Sequence, residues 1–103
     1  MDKIAALREI LAQDPKNSFA RYGVAMELAS RGETDASIAE FRTLVTNDPN
    51  YTAGYFMAAQ TLEQAGRREE AIEQLKAGVA SARRTGNSHA LSEMQAMLDE
   101  LER

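Results

Sequence analysis

The chain contains no cysteine and no tryptophan, and it has only two prolines among its 103 residues. Without cysteine it has no disulfide and no thiolate metal ligand, and a reducing compartment is permitted, so we expect a cytoplasmic location. Long apolar runs are also missing. Nowhere do about 18 apolar residues follow one another, so we expect no membrane span.

An excess of positive charge is the next absence. Lysine and arginine number 12 against 16 aspartates and glutamates, which leaves a net charge of −4. The basic residues are scattered, and only Arg67-Arg68 and Arg83-Arg84 stand in pairs. Because nucleic-acid binding needs a positive stripe that displaces counterions, we expect no nucleic-acid partner.

Groups suited to catalysis are scarce. His89 is the only histidine, and it lies at the start of the last predicted helix, where a solvent-facing side chain is commoner than a catalytic or metal-binding one. The carboxylates of Glu69, Glu70 and Glu73 open a helix, where acids suit the helix dipole. No phosphate loop, nucleophile elbow or metal-binding spacing occurs. We expect no enzymatic activity, no cofactor and no bound metal.

What the chain does contain is helical periodicity. About 44% of residues are hydrophobic and 27% are charged, which is typical of one globular domain. Apolar residues recur at helical spacing in six stretches, such as Ile4, Leu7 and Leu11 in the first. Asp14-Pro15 and Asp48-Pro49 end two of the helices. The predicted fold is all-α.

The helices repeat at an interval of 34 residues. This shift superposes Asp14-Pro15 on Asp48-Pro49 and Gly32 on Gly66. Three core series have the same spacing: Ile4, Ile38 and Ile72; Leu7, Phe41 and Leu75; and Leu11, Val45 and Val79. A plain six-helix bundle is the alternative, but a bundle has no reason for such a period.

A 34-residue helix–turn–helix unit resembles the tetratricopeptide repeat. Tyr55 stands at the leading aromatic of that pattern, Ala58-Ala59 at its Leu-Gly pair and Gly66 at its turn glycine, whereas Arg21 and Gly78 depart from it. The resemblance implies an α-solenoid of antiparallel helix pairs. Its predicted segments are a half repeat at 3–15, repeats at 18–50 and 52–84, and a capping helix at 87–102.

The resemblance also implies a function, since the first helix of each tetratricopeptide pair lines a concave groove. This predicts a protein or peptide ligand in contact with Phe19, Tyr22, Met26, Phe56, Gln60 and Glu63. The lysines, asparagines and arginine with which one subgroup of the family grips acidic peptide tails are absent from these places. We therefore expect an apolar or amphipathic segment of a partner as ligand.

The first repeat lacks its leading helix, which would normally pack beside the second helix of the chain. Part of the apolar arc formed by Phe19, Tyr22 and Met26 is therefore expected to lack a partner within the chain, unless a terminus folds over it. Two hypotheses follow. The protein is a scaffold that binds another protein in its groove, or it forms a homodimer through the same surface. Core packing of these three residues is the simpler alternative.

Overall fold

The computed structural model describes residues 2–103, and in that range the chain forms helices and no strands. The all-α prediction is confirmed. The six helices of these residues are α1 (Lys3–Gln13), α2 (Ser18–Ser30), α3 (Thr34–Asn47), α4 (Thr52–Gln64), α5 (Arg68–Thr85) and α6 (Ser88–Leu101). The division into repeats stays a prediction, and α5 extends one residue beyond its predicted segment.

Side-chain caps begin three of the helices. The Oδ1 atom of Asn17 accepts a hydrogen bond from the backbone N–H of Ala20 at 2.9 Å, so Asn17 is the residue that caps α2. Ser18 has another role, because its Oγ donates to Oδ2 of Asp48 at 3.1 Å. This contact joins the corner between α1 and α2 to the corner between α3 and α4.

Glycines end the helices at matching places in the repeat. Gly32 and Gly66 have φ values of 76° and 77°, in the left-handed region that a side chain disfavours. After each glycine the chain turns back on the helix it has left, since the N–H of Glu33 donates to the Leu28 carbonyl oxygen at 3.0 Å. The N–H of Arg67 donates to the Leu62 carbonyl oxygen at 2.9 Å in the same manner.

The helices stack in two layers. Each helix packs against the next along the chain, and α2 also contacts α4, which in turn contacts α6. Among the described residues the backbones of α1, α3 and α5 stay apart, and these helices meet through side-chain ion pairs, Arg8 with Glu40 at 3.7 Å and Arg42 with Glu70 at 3.1 Å. The inner layer is therefore α2, α4 and α6, and the outer layer is α1, α3 and α5. This is the α-solenoid that the resemblance to the tetratricopeptide repeat implies.

Two apolar clusters form the core. The larger one runs from α2 to α6 and includes Phe41, Leu62, Leu75 and Met94. A smaller one joins α1 to α2 through Leu11, Ala20, Val24 and Leu28. The first helix thus packs mainly against α2 and also pairs Arg8 with Glu40 of α3, while most of its residues are exposed.

Candidate peptide-binding surface

Helix α2 divides its apolar residues among three directions. Val24 and Leu28 enter the smaller cluster, and Ala25 enters the larger one. Phe19 points elsewhere, with 75% of its surface exposed. An aromatic side chain this exposed beside two packed clusters is unusual for a structural residue, so it marks a candidate contact with a partner.

A cleft opens where α1 and α2 diverge, and we call it the end cleft. Its volume is about 350 Å³, and it is lined by Lys3, Leu7, Phe19, Tyr22, Gly23 and Met26. The apolar lining is interrupted only by the ammonium group of Lys3 and the hydroxyl of Tyr22. Such a lining suits an apolar side chain inserted from outside.

Tyr22 belongs to both the core and the end cleft. Its ring meets Phe41 edge-on, with centroids 6.2 Å apart, and lies 5.5 Å from the ring of Tyr51. Burial of the phenol raises the pKa of Tyr22 above its ordinary value, because the charged phenolate loses hydration. The same cause, with the nearby Tyr22 and Asp48 charges, raises the pKa of Tyr51. One side of the Tyr22 ring thus packs in the core, as the simpler alternative predicts, and its other side lines the end cleft.

The predicted groove residues on α4 lie in a different environment. Gln60 and Glu63 line a polar cleft of about 290 Å³ between α4 and α6. Its remaining lining residues are Gln64, Met97, Glu100 and Leu101. Phe56 lines neither cleft and packs half-buried against the larger core cluster. Five of the six predicted residues are therefore distributed over two clefts on the inner layer, and the sixth, Phe56, packs against the core.

Several lining residues were missed by sequence reasoning. In the end cleft these are Lys3, Leu7 and Gly23, and in the polar cleft they come mostly from α6. The repeat itself held a signal for Leu7, which corresponds to the fully buried Phe41 and Leu75. Because Leu7 occupies a core position of the repeat but the helix that would cover it is missing, it could have been identified as a candidate site residue.

A third and wider cleft of about 450 Å³ follows the corners of the chain. It is lined by Tyr22, Asn50, Tyr51, Thr52, Ala53, Thr85 and Asn87. Asparagine, threonine and tyrosine predominate here, and the lining carries no charged side chain. Tyr22 is shared between this cleft and the end cleft, so the two form neighbouring parts of one surface.

The groups considered for catalysis lie apart from these clefts. His89 is exposed, and its Nε2 atom lies 2.6 Å from Oε1 of Glu93, one helical turn away. Across residues 2–103, no three side chains of histidine, aspartate and glutamate come together in a way that could hold a metal ion. Nor does any helix in this range have the length and apolar character needed to cross a membrane.

Comparison with known proteins shows where this architecture occurs. The family model described as Tetratricopeptide repeat matches residues 28–98. A TPR repeat-containing protein of Pseudomonas aeruginosa is 27% identical over 100 residues, which cover 97% of this chain and 95% of that protein.

Solved structures of tetratricopeptide repeat domains have a similar fold. The tetratricopeptide repeat domain protein of Salinibacter ruber is 31% identical with a TM-score of 0.78, over 85% of this chain and 89% of that one. The TPR2B domain of yeast Sti1, in a complex with pHsp70, is 19% identical with a TM-score of 0.86, over 96% of this chain and 79% of that one. The second likeness concerns the fold alone.

Proposed function

Because the chain belongs to the tetratricopeptide repeat family, we propose that it is a protein-interaction module whose inner layer binds an apolar or amphipathic segment of a partner protein. The observation that carries this proposal is Phe19, an aromatic side chain 75% exposed at the mouth of an apolar cleft. Aromatic anchors that fill pockets supply much of the affinity in protein interfaces.

Charge along the inner layer supports an orientation for the ligand. The end cleft is apolar, whereas the polar cleft between α4 and α6 carries the carboxylates of Glu63 and Glu100. A segment with apolar residues toward α2 and a basic residue toward α6 would complement both ends. Lys3 is the one basic residue in the two linings, so they lack the cluster of lysines and arginine that would favour an acidic peptide tail. The pHsp70 complex of the Sti1 domain supports a peptide partner only through the shared fold.

A pull-down from the source lysate tests this proposal. Phe19→Ser and Glu63→Lys alter exposed residues at the two ends of the inner layer, so neither should affect folding. We expect the unmodified protein and the outer-layer control Ala39→Lys to retain a partner that both variants lose, with the Phe19 change causing the larger loss. Equal retention by all four proteins would overturn the proposal.

A homodimer through the same surface is the second candidate. The observation in its favour is the position of Phe19 beside the end cleft, because an aromatic knob next to a hole can pair with itself across a two-fold axis. Measurement of the mass in solution at micromolar concentration separates the candidates. A strict monomer excludes the dimer, and a dimer that Phe19→Ser dissociates would support it.

We further propose that the protein acts in the cytoplasm and catalyses no reaction. The lack of cysteine supports the first point. The solvent-exposed pairing of His89 with Glu93 supports the second, since neither group lies in a cleft where a substrate could be held. A substrate-dependent activity that is lost in His89→Ala would contradict it.

A further inference from the structure

One face of α1 is exposed or only half-buried at positions that the repeat buries elsewhere. Its residues are Lys3, Leu7 and Ile10, and a shift of 34 places them on Ser37, Phe41 and Leu44 of α3. A second shift places them on Ala71, Leu75 and Gly78 of α5. All six equivalents on α3 and α5 are buried. Ile10, in contrast, is 44% exposed where Leu44 is 1% exposed.

The chain itself shows what covers such a face. On α3 the covering helix is α2, which sets the ring of Tyr22 against Phe41. Three residues later the backbone of α2 comes close, and Oγ of Ser37 donates to the Ala25 carbonyl oxygen at 2.8 Å. Tyr22 precedes Ala25 in α2, whereas their partners Phe41 and Ser37 occur in the opposite order in α3, so the two helices run antiparallel.

Helix α4 covers α5 with the same pattern. Phe56 and Ala59 take the places of Tyr22 and Ala25, and both pack in the core cluster that contains Ala71 and Leu75. A helix that covers this kind of face therefore carries an aromatic residue and, three positions later, an alanine. The aromatic residue fills the middle of the face, and the alanine lets the two backbones approach.

We infer that the exposed face of α1 and the end cleft bind an amphipathic α-helix supplied by a second protein, seated on α1 as α2 is seated on α3. This inference rests on the proposed function and specifies its ligand. The helix runs antiparallel to α1, places an aromatic or large apolar residue between Leu7 and Tyr22, and has a small residue three positions later.

A second copy of this chain does not fit that description. Its two aromatic–alanine segments, on α2 and α4, are already covered by α3 and α5. Helix α6 carries exposed carboxylates at Glu93 and Asp99, and that of Glu100 in the polar cleft. Among residues 2–103, no helix of the required pattern is thus free to enter the cleft of a neighbour.

Lys3 adds a charge requirement. It stands where α3 has Ser37 and α5 has Ala71, and its Nζ atom lies 3.7 Å from Oε2 of Glu27 at an exposed position. Because the bound helix is antiparallel, its C-terminal turn lies beside Lys3. Free carbonyl oxygens and a carboxylate in that turn would accept from the ammonium group, as Ala25 accepts from Ser37. The partner helix therefore carries an acidic residue near its C-terminus.

A stapled helical peptide with the sequence of α4, residues 52–64, is a suitable probe, because it has both the aromatic–alanine pattern and Glu63 near its C-terminus. Isolated helices of this length are marginal in water, so the staple is needed. The labelled peptide is titrated into the whole protein, and amide shifts are mapped by NMR. A peptide with Phe56 and Ala59 exchanged has the same composition and serves as control.

We expect saturable binding with shifts at Leu7, Ile10 and Gly23, and weaker binding of the exchanged peptide. Ile10→Asp should reduce affinity about tenfold or more, as loss of a central apolar contact does in other interfaces. The matched control Ala39→Asp, exposed on the outer layer, should bind as the unmodified protein does. Because much of Ile10 is exposed, its change should lower the thermal unfolding midpoint by only a few degrees, and Ile10→Ser repeats the test without a new charge.

Three results would overturn the inference. The first is no binding of the peptide, and the second is an affinity that the Ile10 substitutions leave unchanged. The third is a set of amide shifts confined to the α4–α6 cleft or to Leu75. Shifts at Gln60 and Glu63 would leave the inner-layer proposal intact while removing the end-cleft docking. A peptide-free dimer that the peptide converts to monomer would instead make a second copy the natural occupant.

Discussion

Arg21 reproduces with its guanidinium the hydrogen bond that Tyr55 makes with its hydroxyl. Nη2 of Arg21 donates to the Pro15 carbonyl oxygen at 2.9 Å, and Oη of Tyr55 donates to the Pro49 carbonyl oxygen at 2.9 Å. The two donors and the two acceptors are each 34 residues apart. Arg21 therefore departs from the residue pattern of the repeat but keeps the hydrogen bond that holds the corner.

This equivalence predicts that Arg21→Tyr folds with little loss, whereas Arg21→Leu loses about 1–2 kcal/mol of unfolding free energy. Both variants lose the 2.8 Å ion pair with Glu40, which keeps Arg8 at 3.7 Å, and only leucine also loses the bond to Pro15. Tyr55→Phe should lower the unfolding free energy by about 0.5–1 kcal/mol, a small loss for a hydrogen bond, because the Pro49 oxygen still accepts from Arg84 at 3.0 Å. Urea unfolding of the three variants measures these differences. Equal losses in the two Arg21 variants would contradict the equivalence.

Ile10 and Leu44 are equivalent in the repeat but differ in exposure, so their truncation should differ as well. We expect Leu44→Ala to cost about 2–5 kcal/mol, because it leaves a cavity in the larger cluster. Ile10→Ala should cost less than about 1 kcal/mol, since much of its side chain is already in water. Denaturant unfolding compares the two. A large loss in Ile10→Ala would show that another part of the chain covers this face.

Two glycines within helices should respond to alanine in opposite directions. A Cβ atom at Gly78 would lie 2.8 Å from Cβ of Tyr55, which cannot move aside, so Gly78→Ala should cost about 1–3 kcal/mol. A Cβ atom at Gly23 would lie 2.9 Å from Cδ1 of Leu7, a free side-chain end beside the end cleft. Gly23→Ala should therefore gain up to about 1 kcal/mol from helix propensity. Thermal unfolding of the two variants checks the sign of each effect.

High pH should weaken the fold through two tyrosines. Burial raises the pKa of Tyr22 and Tyr51 in the folded state, so folding favours the neutral phenols. The stability that this contributes is fully present below the unfolded pKa of about 10 and is lost as pH rises through the folded pKa values. Ultraviolet titration of the phenolates should find both groups above the ordinary value. In Tyr22→Phe the unfolding free energy should fall less steeply in that range.

Much of the fold was predictable because it depends on local sequence patterns. The corners at Asp14-Pro15 and Gly32 follow from the backbone restrictions of proline and glycine. The spacing of Ile4, Ile38 and Ile72 follows from the need of each unit to bury the same face. These signals depend on neighbours a few residues apart or on one constant interval, so they can be read without a structure.

The binding surface was less predictable because it depends on which faces remain uncovered. Phe19 and Phe56 both appear as groove aromatics in the sequence, yet one is exposed and the other packs half-buried in the larger cluster. Leu7 belongs to a core series in the sequence, yet it borders an open cleft, and Ile10 on the same helix is 44% exposed. Burial is a property of what packs on a residue, and that partner lies on another helix.

By itself the sequence determined an all-helical chain with a 34-residue period, ends marked by proline and glycine, and a net negative charge that disfavours nucleic acid. Helical propensity, capping and charge act locally or add up over the whole chain, so composition and order suffice for them. Only the tertiary structure decided that Tyr22 serves both core and cleft and that Arg21 replaces a tyrosine. It also decided that Ile10 of α1 is exposed where its equivalent Leu44 of α3 is buried. Each of these depends on distances between side chains that the stacking of separate helices sets.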